Sequence, residues 1–248
     1  MSRSLSGRTA LVTGGARRVG RAIALGLADA GADVVVHFQT SAEEAEETAR
    51  AARGRGVRAW TVGADLSVAA EAEQLVEQAV ERAGGVDFLI NNASIFRPGT
   101  VAELSPATLA ENVQINAYAP FQLARSLARQ GRGGRVVNLL DTRVAAPVDP
   151  AYVGYGLSKA LLHELTGLLA LELAPDVTVN AVAPGAILPP AGAEPDRFER
   201  LGDRLPLGRT GDPADVVRAV LFFVQSGFVT GQVIYVDGGQ HLKGRQDG

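Results

Sequence analysis

Short apolar runs alternate with helical stretches along almost the whole chain, and this alternation limits its possible folds more than any other feature. Residues 9–13 (TALVT), 33–38 (DVVVHF), 57–62 (VRAWTV), 86–90 (VDFLI), 134–140 (GRVVNLL), about 177–182 and 232–236 (QVIYV) read as strands that are apolar on both sides. Such strands are covered on both faces, which here predicts a parallel sheet wound with helices above and below. Helical periodicity fills the intervals 18–30, 41–53, 67–83, 105–130, 151–174 and 213–226. Their ends carry matching signals. Gly31 closes the first helix, acids precede arginines in the second, Ser67 is the expected N-cap of the third, and Asp212-Pro213 opens the last. No repeat or compositional shift divides the 248 residues, so a single α/β domain is expected. The Pro- and Gly-rich stretch 184–211 contains one short amphipathic piece and reads as a substrate-covering loop, the alternative being a tolerated insertion.

Composition removes whole classes of function. With a formal charge of −3 the chain lacks the basic balance of a nucleic-acid binder. It has no cysteine, which excludes disulfides, thiol nucleophiles and cysteine-ligated zinc. His37, His163 and His241 are scattered, so no metal site is expected. No segment approaches the ~20 apolar residues of a membrane helix, and MSRSLSGRTA contains no signal-peptide core. A soluble cytoplasmic protein acting on a small molecule is expected.

The chemistry-bearing residues lie after the strands. The first strand runs directly into Thr13-Gly14-Gly15-Ala16-Arg17-Arg18-Val19-Gly20 and then a helix. Glycines at such a turn let the backbone close on a pyrophosphate, and the helix N-terminus offers free N–H groups. In the first βα unit this pattern favours a dinucleotide over tight packing alone. The second strand ends His37-Phe38-Gln39-Thr40-Ser41, without the acid that would bind the ribose hydroxyls of NAD and repel the extra phosphate of NADP. Together with Arg17 and Arg18 this points to NADPH, unless the two arginines are simply solvated surface charges. Asp65-Leu66 and Asn91-Asn92-Ala93-Ser94 follow strands three and four. Tyr155 and Lys159 are four apart on a helix and share a face. A cation there is expected to lower the phenol pKa and make it a better proton donor or acceptor. Lys159 and Lys243 are the only lysines in a chain that otherwise uses arginine, so a compact ammonium is wanted at 159.

These residues resemble the short-chain dehydrogenase/reductase family over essentially the whole chain. The likeness rests on the TGxxxGxG turn with Arg18 replacing its middle glycine, NNA at 91–93, Asn116, YxxxK at 155–159, Pro184-Gly185, and Thr230-Gly231 through Asp237-Gly238-Gly239. It implies a doubly wound, Rossmann-type sheet and an NADPH-dependent oxidoreductase. The cofactor would lie along Gly14, Arg17, Arg18, Val19, Gly20, Phe38, Thr40, Ser41, Asp65, Leu66, Asn92, Ala93, Ser94, Tyr155, Lys159, Pro184 and Gly185. By the same resemblance Tyr155 is the acid, Lys159 lowers its pKa and holds the nicotinamide ribose, and Asn116 supports a water relay. A homotetramer pairing helices 105–130 and 151–174 is implied as well.

Common family members place a serine three residues after the strand-five asparagine. Counting from Asn138 gives Asp141, whereas counting back from Tyr155 gives Thr142. Strand register is harder to shift than loop length, which favours Asp141. An aspartate there, NNAS instead of NNAG, and arginine in the glycine turn are similar to pteridine reductases and bacterial dihydromonapterin reductases. That likeness implies NADPH-dependent reduction of a C=N bond in a pterin, with Arg18, Ser94, Phe96, Asp141 and Tyr155 around the substrate. Asp141 would orient it and assist protonation, Arg18 would bridge cofactor phosphate and substrate, and Phe96 would stack on the ring or else pack its loop. Two rivals stand: a carbonyl reductase using Thr142, and a catalytically idle NADPH-binding regulator, against which the intact Tyr155/Lys159 pair argues.

Overall fold

Successive residues of each strand feed opposite cores, as the two-residue period of an extended chain requires. Val12, Val34, Val36, Ile90 and Val137 join one buried layer, while Leu11, Val35, Leu89 and Val136 join the other. The structure, a computed structural model, describes residues 4–145, 149–189 and 195–243. Its strands are β1 (Thr9–Val12), β2 (Asp33–Phe38), β3 (Ala59–Gly63), β4 (Phe88–Asn91), β5 (Gly134–Leu139), β6 (Val177–Pro184) and β7 (Val233–Val236). All pair in parallel, in the order β3-β2-β1-β4-β5-β6-β7, giving the expected seven-stranded α/β sheet. The order reverses between β1 and β4, so the loops leaving these strands diverge and open a crevice at the carboxyl edge.

The helices are α1 (Arg18–Asp29), α2 (Ala42–Arg53), α3 (Ala69–Ala83), α4 (Pro106–Val113), α5 (Ala119–Arg129), α6 (Val153–Glu172), α7 (Pro195–Asp203), α8 (Pro213–Gln225) and the short α9 (Gln240–Lys243). Ile23 and Leu27 of α1, Ala45 and Ala49 of α2, and Val220 and Phe223 of α8 cover the first face. Leu75 of α3, Leu123 and Leu127 of α5, and Leu169 of α6 cover the second. Each large side chain so buried contributes about 1.5–3 kcal/mol.

Two expectations change. The helix expected over 105–130 is interrupted by a π turn at Gln114–Tyr118 between α4 and α5, and the wider turn carries Asn116 into the interior. Ser67 does not cap α3, whose N-cap is Val68 without a side-chain bond. Instead Asp65 Oδ1 accepts the Ser67 N–H at 2.8 Å, so the aspartate folds the approach into a local turn. Within 184–211 the amphipathic piece is α7, and residues 190–194 of that stretch lie outside the described residues.

A buried polar chain fixes α6 on the sheet. Asn91 Nδ2 donates to Asn138 Oδ1 (2.8 Å), and Asn138 Nδ2 donates to Thr166 Oγ1 (3.0 Å). This sets α6, which carries Tyr155 and Lys159 about two to three turns before Thr166, against the end of β5.

Candidate active site

The glycine turn is clamped from both sides. Asn92 Nδ2 donates to the carbonyls of Thr13 (2.8 Å) and Gly14 (3.2 Å), while Thr13 Oγ1 accepts from the Asn92 and Ala93 amides. A β-carbon on Gly20 would stand 2.1 Å from the Gly14 carbonyl oxygen and 2.5 Å from Asn92 Nδ2, so only glycine fits there. From the β2 side, His37 Nδ1 accepts the Gly14 N–H at 3.1 Å, and its Nε2 lies 3.1 Å from the Ala64 carbonyl. That pairing makes Nε2 the protonated nitrogen. Burial pushes the imidazole down to about 4, which keeps it neutral in this role.

Arg17 is the N-cap of α1 and makes no side-chain cap bond, so the first-turn N–H groups remain available. Arg18 is held at φ +52°, the region glycine enters freely, which explains why a glycine is the usual residue there. A side chain so placed costs about 1–3 kcal/mol. Arg18 uses it to reach the far side of the crevice, donating to the Pro189 carbonyl at 2.7 Å. The cavity along this turn is about 410 Å³. Its walls include Gly14, Arg17, Arg18, Val19, Gly20, Phe38, Thr40, Ser41, Asp65, Leu66, Asn92, Ala93 and Ser94.

Arg18 also borders a second cleft of about 270 Å³, lined by Phe96, Asp141, Thr142, Arg143, Tyr155, Gly185 and the inner side of α7. Here the Tyr155 hydroxyl donates to Asp141 Oδ2 at 2.9 Å. Asp141 Oδ1 accepts the Arg143 N–H (2.9 Å), and Arg143 Nη1 lies 3.1 and 3.3 Å from the two carboxylate oxygens. Burial, and next the Asp141 carboxylate, drive the Tyr155 phenol well above its ordinary value, with Arg143 opposing. Lys159 is fully enclosed and donates to the Leu139 carbonyl at 2.7 Å; burial pushes its ammonium down to about 8. The lowering of the phenol pKa expected from Lys159 is outweighed by burial and by Asp141. Its Nζ is 5.7 Å from the ring centroid, whereas Asp141 touches the hydroxyl. Tyr155 is held as a phenol, which suits a proton donor.

A family model matches residues 14–241, that of the group described as enoyl-(acyl carrier protein) reductase. The chain belongs to the short-chain dehydrogenase/reductase family. An alternative dihydrofolate reductase 1, FolM, from Brucella canis, solved in complex with NADP, shares 38% identity and superimposes with a TM-score of 0.90 over 97% of this chain and 96% of that one. An uncharacterized oxidoreductase from Mycobacterium tuberculosis is 37% identical, over 95% of this chain and 92% of the relative. The 3-oxoacyl-(acyl-carrier-protein) reductase FabG of Staphylococcus epidermidis is 31% identical, over 95% and 99%.

The strand count, not the count back from Tyr155, gives the residue beside the Tyr155 hydroxyl. Asp141 faces Tyr155, while the Thr142 hydroxyl turns away and donates to Asp237 at 2.6 Å. Asn116 is brought beside this cluster, with its side chain fully bonded. Its side-chain oxygen accepts from Ser94 Oγ (3.0 Å) and the Ile95 amide (2.9 Å), and its nitrogen donates to the Ile95 carbonyl and Ser158 Oγ. A side chain so engaged holds loop 94–95 against α6. Gly185 lies on the wall of the second cleft, just beyond Pro184 at the end of β6. Phe96 has one ring face stacked on Tyr152 (4.3 Å, 8°) and meets Tyr155 edge-on at 4.7 Å. It is nevertheless 40% exposed. Two site residues escaped sequence reading. His37 left a trace, a lone polar residue in the apolar run DVVVHF. Arg143 left none.

Proposed function

We propose that the protein is an NADPH-dependent reductase of a C=N bond in a pterin or dihydropterin. The larger cavity suits the cofactor. Gly14 and Gly20 admit a pyrophosphate against the open start of α1. Arg17, Thr40 and Ser41 offer a cation and hydroxyls to a 2′-phosphate, and Ser41 makes no cap bond that would compete. NADPH bound there supplies the hydride.

The substrate class rests on one observation, the carboxylate of Asp141 against the hydroxyl of Tyr155. A carboxylate is an acceptor. It opposes the lone pairs of a ketone oxygen and receives the N–H donors of an amino-substituted heterocycle. Tyr155, kept protonated by burial and by Asp141, gives its proton to the ring nitrogen next to the carbon that takes the hydride. The O–H bond breaks as the N–H bond forms. The phenolate left beside Asp141 is offset by Arg143 and by the Lys159 ammonium. Arg18, bordering both cavities, meets cofactor and substrate, Phe96 bounds the substrate side, and Ser94 lies on the wall of the cofactor cavity. The likeness to a FolM reductase supports this reading.

Similarity to FabG favours ketone reduction as a second reading. It lacks its usual hydroxyl, because that of Thr142 is spent on Asp237. A purely regulatory NADPH-binding role would leave the Tyr155–Asp141 contact and the enclosed Lys159 without a use.

We also propose a homotetramer in the cytoplasm. On α6, Leu157, Leu161, Leu168 and Leu171 are exposed, Leu171 to 78%, with Tyr118 exposed on the neighbouring π turn. A second copy would cover this apolar face. Among the described residues no helix is long and apolar enough to cross a membrane. The deciding experiment is an NADPH-oxidation screen of biopterin, monapterin, folate and simple ketones, each pterin also in its dihydro form. Turnover of a pterin is expected, and turnover confined to ketones would overturn the reading.

A further inference from the structure

The start of α2 carries Ser41-Ala42-Glu43-Glu44, the spacing of a reciprocal cap in which the serine hydroxyl and the glutamate carboxylate satisfy each other's backbone N–H groups. The fold leaves that cap open. Ser41 makes no side-chain cap bond, and the Glu44 carboxylate reaches across to Arg17, with Oε1 3.4 Å from Nη1. Both partners are well exposed. Arg17, Thr40 and Ser41 all line the larger cavity, so the cation that would meet a 2′-phosphate already holds a carboxylate from the helix beside it.

We propose that Glu44 sets cofactor discrimination in this reductase: it is an internal rival for Arg17 that any 2′-phosphate must displace, and it restrains the preference for NADPH over NADH. The inference deepens the cofactor reading above and rests on it. Two consequences follow from the geometry. Removing the Glu44 charge frees Arg17 and also takes a like charge away from an incoming phosphate, so affinity for the phosphorylated cofactor rises. NADH presents no charge at that place, so its affinity hardly changes. The size is that of an exposed ion pair, about two- to fivefold in dissociation constant. The effect shrinks as salt screens it.

Nicotinamide fluorescence titrations of the full chain with NADPH and with NADH test this, in the wild type, Glu44→Gln, Arg17→Gln and the double variant. Glu44→Gln is expected to raise the ratio of NADH to NADPH dissociation constants about two- to fivefold, with the NADH constant nearly unchanged. In the Arg17→Gln background most of that gain should vanish, because the rivalry runs through the guanidinium. An unchanged or lowered ratio in Glu44→Gln overturns the proposal, and so does an equal gain with Arg17 absent. A wild type without NADPH preference, in which Glu44→Gln creates one, would overturn the cofactor reading and uphold Glu44. A wild type that prefers NADPH and ignores the substitution would do the reverse. Thermal melts should show that each variant folds, since both side chains are exposed and support no core packing.

Discussion

Asp141→Ser replaces the carboxylate beside Tyr155 with the hydroxyl that common relatives carry, and its cost follows from how the two oxygens are used. Oδ1 is committed to the Arg143 amide. Oδ2 takes the Tyr155 hydroxyl at 2.9 Å and Arg143 Nη1 at 3.1 Å, so a substrate N–H binds there by taking the place of the Tyr155 hydroxyl as that hydroxyl turns to the ring nitrogen. A hydrogen bond to a charged group contributes about 1.5–3 kcal/mol, so losing it should lower kcat/KM for a dihydropterin roughly 10- to 150-fold. A ketone, which brings no N–H to that place, should lose little or gain from the new hydroxyl. The fold should tolerate the change. Arg143 keeps Asp149 at 3.5 Å and is itself 30% exposed, so its charge is not left buried without a partner. The assay is steady-state NADPH oxidation with a dihydropterin and a ketone in parallel, with melting temperature and NADPH affinity as controls. Equal losses on both substrates, or greater damage from Thr142→Ala than from Asp141→Ser, would refute the assignment of Asp141 to pterin recognition.

Tyr155→Phe removes the proton donor while leaving the larger cavity untouched; turnover should fall about 10²–10⁴-fold with NADPH affinity retained, and near-normal turnover would remove Tyr155 from the mechanism. Lys159 ionises near 8 in the folded chain against 10.5 ordinarily, so kcat/KM should fall as pH rises past about 8 and the ammonium is lost. Between about 8 and 10.5 the unfolded chain keeps a proton that the folded chain has released, so unfolding free energy should rise with pH over that window while activity falls; a kcat/KM flat to the top of the window would contradict the role. Light scattering on a size-exclusion column should give four times the chain mass, and a monomer at micromolar concentration would contradict burial of the α6 leucines between copies.

The alternation of apolar runs determined the sheet by itself, because a strand apolar on both sides has no stable place except between two layers of helices. The glycine turn was legible for a similar reason. Gly20 sits where a β-carbon would strike the Gly14 carbonyl, a constraint that any sequence must meet with the same residue. Tyr155 and Lys159 could be paired from spacing, since one helical turn places them on one face. Their ionisation could not. Spacing shows which groups are close along the chain, whereas the phenol responds to burial and to Asp141, which reaches it from the end of β5. The same holds for the choice between Asp141 and Thr142, which depends on which way each side chain turns as the chain leaves the sheet. Asn116 enters the interior only through the π turn, a local widening that the regular helical period hides. Arg143 bears on Tyr155 of α6 from the turn after β5, and Arg17 at the start of α1 meets Glu44 of α2, so both depend on separate elements meeting at the carboxyl edge. Period and propensity act over a few residues, but the charges around a reacting proton are assembled by the packing of β5, α1, α2 and α6, and only the tertiary structure decides them.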